Sequence, residues 1–137
     1  MPLSNFYAAP INFNDVVYPT NEHYFQAMKT DDLTQREAVR LCATPGDAKR
    51  AGRKVALKPG WDDRRHGIMR HGLELKFSHD QHPVLADWLL STGDALLVEG
   101  NTWGDTHWGR CRGIGANWLG HLLMARRAEL RSGEAVR

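Results

Sequence analysis

Thr20-Asn21-Glu22-His23-Tyr24-Phe25-Gln26-Ala27-Met28-Lys29 is the stretch from which the rest of the chain is read. Pro19 stops whatever precedes it, and the Thr20 hydroxyl can cap backbone N–H groups, so a helix is expected from about Asn21 to Lys29. Glu22 and Lys29 lie seven residues apart, nearly two full turns at about 100° per residue, so both project from one face. A carboxylate and an amine beside aromatic rings form a reaction centre; they equally form a surface strip. An acid in a first turn is stabilised by the helix dipole by roughly 0.3–1 kcal/mol whatever else it does. Lys29 in solvent is an ordinary surface amine. Buried beside aromatics, it would lose its proton and become a nucleophile able to form a Schiff base.

Working outward, residues 3–18 read as a hairpin. Phe13 and Val16-Val17-Tyr18 flank Asn14-Asp15, a turn-prone pair between apolar runs. Residues 33–43 are a second helix, with Leu33, Ala38, Leu41 and Cys42 on its apolar face. Thr44-Pro45-Gly46-Asp47 opens a third, with proline at the first position and an acid in the first turn, ending near Lys54. After Pro59-Gly60, a longer helix runs from Asp62 or Asp63 to Phe77 with Ile68, Met69, Leu73 and Phe77 inward. Pro83 starts another, with Val84, Leu85, Trp88 and Leu89 apolar. Ala95-Leu96-Leu97-Val98-Glu99 reads as a strand, Gly100 to Gly115 as a glycine-rich stretch, and 116–130 as a last helix burying Leu119, Leu122 and Leu123. A frayed tail is expected over 132–137. The pattern is mostly helical with a few short strands. It lacks the βαβ alternation of a doubly wound nucleotide fold.

Composition bounds the function. At 137 residues and 42% hydrophobic content the chain is one domain with room for a core. Its longest apolar runs fall far short of the roughly 20 residues that cross a bilayer, so no membrane partner is expected. Met1-Pro2-Leu3-Ser4-Asn5-Phe6 lacks a basic region followed by an apolar one, so a cytoplasmic location is expected. Cys42 and Cys111 form no Cys-x-x-Cys pair and are expected as free thiols. The net charge is only +2, but arginine is concentrated: Arg110, Arg112, Arg126, Arg127, Arg131 and Arg137 fall in the last quarter. Lys49, Arg50, Arg53 and Lys54 form a second cluster, and Arg64, Arg65 and Arg70 a third. Such patches attract phosphates or nucleic acid; a solvated face is the plain alternative.

Asp105-Thr106-His107-Trp108-Gly109 follows the strand-like run, where chemistry is often carried, although Asp105 suits a turn equally well. Trp103 and Trp108 in a glycine-rich loop suit stacking on a planar base. Gly113-Ile114-Gly115-Ala116-Asn117-Trp118-Leu119-Gly120 has the wrong spacing for a dinucleotide fingerprint. Free N–H groups at the start of the last helix, beside Arg110 and Arg112, would still hold a phosphate. His79-Asp80-Gln81-His82 straddles a helix break, so its rings have no reason to converge on a metal, and neither metal nor cofactor is expected. No Ser-His-Asp or Gly-x-Ser-x-Gly arrangement is present.

From about Leu3 to Leu130 the chain resembles the NADAR (YbiA-like) family. The resemblance rests on Leu3-Ser4-Asn5-Phe6-Tyr7, Glu22-His23-Tyr24-Phe25-Gln26 with Lys29 behind, Ala48 with Gly52-Arg53, Trp61, Met69 and Lys76-Phe77. It continues through Leu97-Val98-Glu99, Asp105 with Trp108-Gly109, Gly115-Ala116-Asn117, Leu119-Gly120 and Leu122-Leu123-Met124. The chain departs from the family in a compact Gly109-to-Asn117 segment. The resemblance implies a mostly helical α+β fold, one domain over 1–131, and an N-glycosidase. It implies either removal of ADP-ribose from guanine bases of nucleic acid, in some members as antitoxin to a DNA-modifying ADP-ribosyltransferase, or hydrolysis of phosphoribosylamino-pyrimidines of early riboflavin synthesis. A module that holds ADP-ribose or NAD without cleaving it is the non-catalytic alternative. On this resemblance Glu22, Lys29 and Asp105 are the catalytic candidates. Asn5 and Tyr7 would line the sugar pocket, Arg53 and the Gly115–Asn117 turn would hold phosphate, and Trp108, followed by Gly109, would stack on the base.

Overall fold

The computed structural model describes the backbone of residues 1–136 and the side chains of residues 1–133. It is an α+β protein of six helices and four short strands among the described residues, in two compact units, Met1–Lys76 and the residues from Phe77 onward.

The first unit opens with the expected hairpin. β1 (Ile11–Phe13) pairs antiparallel with β2 (Val16–Tyr18), Ile11 opposite Tyr18 and Phe13 opposite Val16. Asn14 and Asp15 both take positive φ, 53° and 64°, the requirement of a two-residue hairpin turn that asparagine and aspartate tolerate best. The hairpin buries Ile11 and Tyr18 against α1 (Asn21–Ala27), where the Tyr24 ring meets Phe13 and Tyr18 edge-on. α2 (Leu33–Arg40) is capped by Asp32, α3 (Pro45–Gly52) by Thr44 with Pro45 at its start, and α4 (Trp61–Lys76) carries Asp62 and Asp63 in its first turn. The starts of α3 and α4 follow the signals read from the sequence, and the Asp32 cap adds one for α2.

Two expectations in this unit are corrected. α1 ends at Ala27 instead of Lys29, because its last turn tightens: Lys29 N–H donates to Gln26 and Thr30 N–H to Ala27, three residues back instead of four. In α2 the buried residue is Val39, while Leu33, Ala38 and Leu41 are exposed and Cys42 is half-buried. Val39 is the residue of this helix that joins the core cluster with Ile11, Tyr24 and Met28.

α1 is packed tightly by two glycines. A Cβ on Gly72 of α4 would fall 2.1 Å from Asn21 Oδ1, and one on Gly52 of α3 would fall 1.9 Å from Gln26 Oε1. Polar side chains of α1 thus occupy the space that two missing side chains leave.

In the second unit, α5 (Pro83–Ser91) buries Ala86 and Leu89, with Val84 exposed, and α6 (Trp118–Val136) buries Leu119, Leu123 and Leu130. α6 runs past the Leu130 end expected from the sequence, and Arg137 of the expected tail lies outside the described residues. Residues 95–99 are not a strand. The strands of this unit are β3 (Gly100–Asn101) and β4 (Arg110–Cys111), which pair in parallel, with an isolated antiparallel bridge from Cys111 to Ile114. The reason is visible in the hydrogen bonds. Asn117 Nδ2 donates to Leu97 O and Asn117 Oδ1 accepts from Glu99 N–H, while Arg127 donates to Ala95 O. Side chains of the last helix and its entry turn take the place of a neighbouring strand.

Candidate active site

The chemistry-bearing residues of the first unit gather around α1. Thr20 Oγ1 accepts from His23 N–H and caps the helix, placing Glu22 in the first turn. Glu22 is 7% exposed. Its carboxylate accepts a hydrogen bond from Gln26 Nε2 at 2.8 Å, and its N–H donates to Asn5 O at 3.0 Å. Asn5, also buried, accepts at Oδ1 from Asn21 Nδ2 at 2.8 Å and rests its amide on Met69 Sδ. The N-terminal segment is fastened a second time by Lys76 of α4, which is fully buried and donates Nζ to Ser4 O at 2.7 Å. The Lys76 ammonium stands 5.6 Å from the centroid of the half-exposed Tyr7 ring.

Lys29 lies just beyond the end of α1, half-buried, with Nζ 6.0 Å from the Phe25 centroid and its carbonyl bonded to Lys58 N–H. Burial holds its amine below the ordinary lysine range. The Glu22 carboxylate works against that shift, and Arg53 and Lys49 add to it. Glu22, Lys29 and Arg53 are therefore within one electrostatic neighbourhood; the spacing of Glu22 and Lys29 suggested the first two. The shortened helix does not separate acid from amine. A half-buried amine with a lowered pKa near a buried carboxylate can exchange protons or act as a nucleophile.

His23, in the middle of the same motif, is architectural. Its Nε2 meets Cys42 O at 3.0 Å, and a carbonyl only accepts, so Nε2 carries the proton and Nδ1 accepts from the Thr20 hydroxyl at 2.8 Å.

The remaining candidates lie in the second unit. Asp105 Oδ1 accepts from His107 N–H at 3.0 Å and Trp108 N–H at 2.9 Å, and its own N–H donates to Asn101. One carboxylate oxygen thus staples the turn, as the plain turn reading required. Trp108 is half-buried with its ring edge-on to His107 at 4.8 Å. Gly109 is buried; a Cβ there would fall 2.2 Å from Glu99 O. Gly115 has a φ of 145°. Asn117 is fully buried, and both ends of its amide serve residues 97–99.

The arginines of the last helix are also committed. Arg126 donates to Phe77 O and pairs with Glu129, Arg127 is buried against Thr92 Oγ1 and Ala95 O, and Arg131 reaches Asp94 and Gly93 O. Arg127 and Arg131 hold the 92–95 turn to α6, and Arg126 holds Phe77. Both cysteines are free. His79 pairs with Asp87, and no group of three metal-ligating side chains converges among the described residues. No helix among them is long and apolar enough to cross a membrane.

Sequence reasoning missed Gln26 and Lys76 as site-building residues. Gln26 lies four residues from Glu22, the helical spacing at which side chains meet. Lys76 falls on the Met69, Leu73 stripe of α4, where a lysine is out of place unless it has a buried task.

A buried acid, a depressed amine and neighbouring cations thus stand together at the end of a short helix, groups that can carry acid–base and nucleophilic chemistry. The chain belongs to the NADAR family, whose domain model matches residues 1–131. It is 42% identical to N-glycosidase YbiA of Escherichia coli (strain K12) over 130 residues, 93% of this chain and 79% of that protein. It is 37% identical to an N-glycosidase of Nostoc punctiforme (94% and 85% covered). It is 37% identical to a riboflavin biosynthesis protein of Vibrio vulnificus, of which it spans only 35%. The NMR structure of E. coli YbiA matches 99% of the chain and 81% of that protein, with a TM-score of 0.89 and 39% identity. At the level these relatives share, the chain is a glycosidase, a hydrolase of N-glycosyl bonds.

Proposed function

We propose that this N-glycosidase cleaves the bond between ribose C1 and an exocyclic amine of a planar heterocycle, and that its substrate is ADP-ribose carried on guanine bases of nucleic acid. On this reading it opposes a cognate ADP-ribosyltransferase, as an antitoxin does. The single observation that carries the chemistry is the depressed, half-buried Lys29 amine beside the buried Glu22 carboxylate. In such a substrate the exocyclic nitrogen pushes the sugar ring open to an imine, the ring oxygen taking a proton. The Lys29 amine adds to C1, Glu22 passes a proton to the departing base, and a Schiff base remains on Lys29. Water then adds to C1, the C1–Nζ bond breaks, and the sugar closes. Asp105 is the candidate for the second proton transfer, through the carboxylate oxygen that does not staple its turn. Arg53, with Lys49 four residues before it, and the Gly115–Asn117 turn suit the phosphates; Asn5 and Tyr7 suit the sugar, and Trp108 with Gly109 the base.

The second reading, hydrolysis of a phosphoribosylamino-pyrimidine, is favoured by the relative named as a riboflavin biosynthesis protein. The committed arginines of α6 also remove one reason to prefer a nucleic acid. Turnover of an ADP-ribosyl-guanine oligonucleotide and of the phosphoribosylamino-pyrimidine, followed by chromatography, ranks the two. Free ADP-ribose with unmodified oligonucleotide is expected. Release from the pyrimidine alone selects the second reading, and binding of ADP-ribose with no cleavage of either substrate makes the chain a binding module.

A further inference from the structure

The carboxylate of Glu22 has a neighbour to which the chemistry above gives no task. Gln26 is 4% exposed and directs Nε2 to Glu22 Oε1 at 2.8 Å, while its Oε1 has no hydrogen-bond partner. A buried amide with an unmatched oxygen costs stability, and a methionine of similar volume would fill the space without that cost. The amide cannot turn over, because its oxygen would then face the carboxylate. Its unmatched end lies against Gly52, where a Cβ would stand 1.9 Å from Oε1.

From this we infer that Gln26 is a positioning residue for Glu22, and that Gly52 lets its amide stand at the carboxylate. The inference rests on the reading of Glu22 as the acid–base group. An N–H donor stabilises the ionised form and fixes the orientation of the oxygen it holds. Charged groups of this neighbourhood include Lys29 after α1, which feels the Glu22 carboxylate, and Lys49 in α3 and Arg53 at its end, which act on Lys29. All are cations, and a charge alone sets no direction; the Gln26 amide gives one carboxylate oxygen a short directed bond at 2.8 Å.

The test compares wild type with Gln26→Met, which keeps volume and removes the donor, and with Gly52→Ala, which pushes the amide away from outside the site. Two readouts are needed: kcat and KM for release of the base, and the titration of the Glu22 carboxyl followed by carbon-13 NMR without substrate. In both variants kcat is expected to fall by roughly tenfold to a hundredfold with KM held within about twofold. The Glu22 titration is expected about one pH unit higher. An unmoved titration in a Gln26→Met protein with a wild-type unfolding curve overturns the positioning role, as does a loss confined to KM. If the titration moves while wild type and Glu22→Gln turn over alike, the acid–base reading of Glu22 falls instead, and the two failures remain distinct.

Discussion

Asn21 and Asn117 are both fully buried amides, one in each unit, and they are used in opposite ways. Asn117 bonds at both ends, to Leu97 O and Glu99 N–H, and thereby replaces a strand partner. Asn21 gives its Nδ2 to Asn5 and Met69 and leaves Oδ1 unpartnered against Gly72. The same contrast holds for other groups. Asp105 and Arg127 bond to main chain, whereas Gln26, on the helix of Glu22, again leaves an oxygen unmatched. An unmatched buried acceptor costs about 1–3 kcal/mol, and two such atoms on one two-turn helix are a concentrated cost. Polar groups fully satisfied by backbone are architecture. Polar groups buried at a loss on the helix of Glu22 fit the proposed reading, in which they are held there for chemistry.

Breaking the α1 side of this contrast should give the largest effect. Glu22→Gln keeps shape and removes the acid. It is expected to lower kcat by about 10²–10⁴-fold, the range for a general acid–base group, with little change in unfolding temperature. Steady-state release of free base checks it; an unchanged kcat would make α1 a costly packing element and nothing more.

Lys29→Met comes next and separates two routes. Loss of turnover together with loss of a borohydride-trapped adduct marks the amine as nucleophile. Turnover that survives without the amine means water attacks C1 directly. The pH dependence has a definite sign. Burial lowers the amine pKa, so the limb that requires neutral Lys29 rises with pH through a value below 10.5. Arg53 contributes to that lowering, so Arg53→Gln should move the limb toward higher pH; a shift toward lower pH would contradict the electrostatics of the cluster.

How much of this was legible in the sequence follows the same division. Local signals were sufficient where a short-range rule decides the structure. Asn14-Asp15 specified a hairpin turn, Thr20 and Thr44 opened helices, and seven-residue spacing put Glu22 and Lys29 in one neighbourhood. They failed where a distant side chain decides. Residues 95–99 carry a strand-like apolar run, yet Asn117 and Arg127, far along the chain, take their backbone groups. The C-terminal arginines looked like a ligand face for the same reason: composition shows charge but not the carbonyl that receives it. Gln26 was hidden differently, since its value depends on the absence of a side chain at Gly52 on another helix.

Breaking the architectural side should give the smaller effect, and in stability instead of rate. Arg127 is 6% exposed and holds Thr92 Oγ1 at 2.8 Å and Ala95 O at 2.9 Å. Arg127→Met keeps the buried stem, removes both charge-assisted bonds and leaves the Ala95 carbonyl without this donor. Hydrogen bonds to charged groups are worth about 1.5–3 kcal/mol each, less the recovered cost of burying the charge, so a net loss of about 2 kcal/mol is expected. In a chain of this length that lowers Tm by roughly 8 °C, readable by thermal unfolding. The kcat of the folded enzyme should hold, and the salt dependence of any oligonucleotide affinity should keep its slope, because this guanidinium is already bound within the protein. A flatter salt slope with an unchanged Tm would mean that Arg127 faces phosphate after all. The line drawn between satisfied architecture and buried chemistry would then have to move to include the last helix.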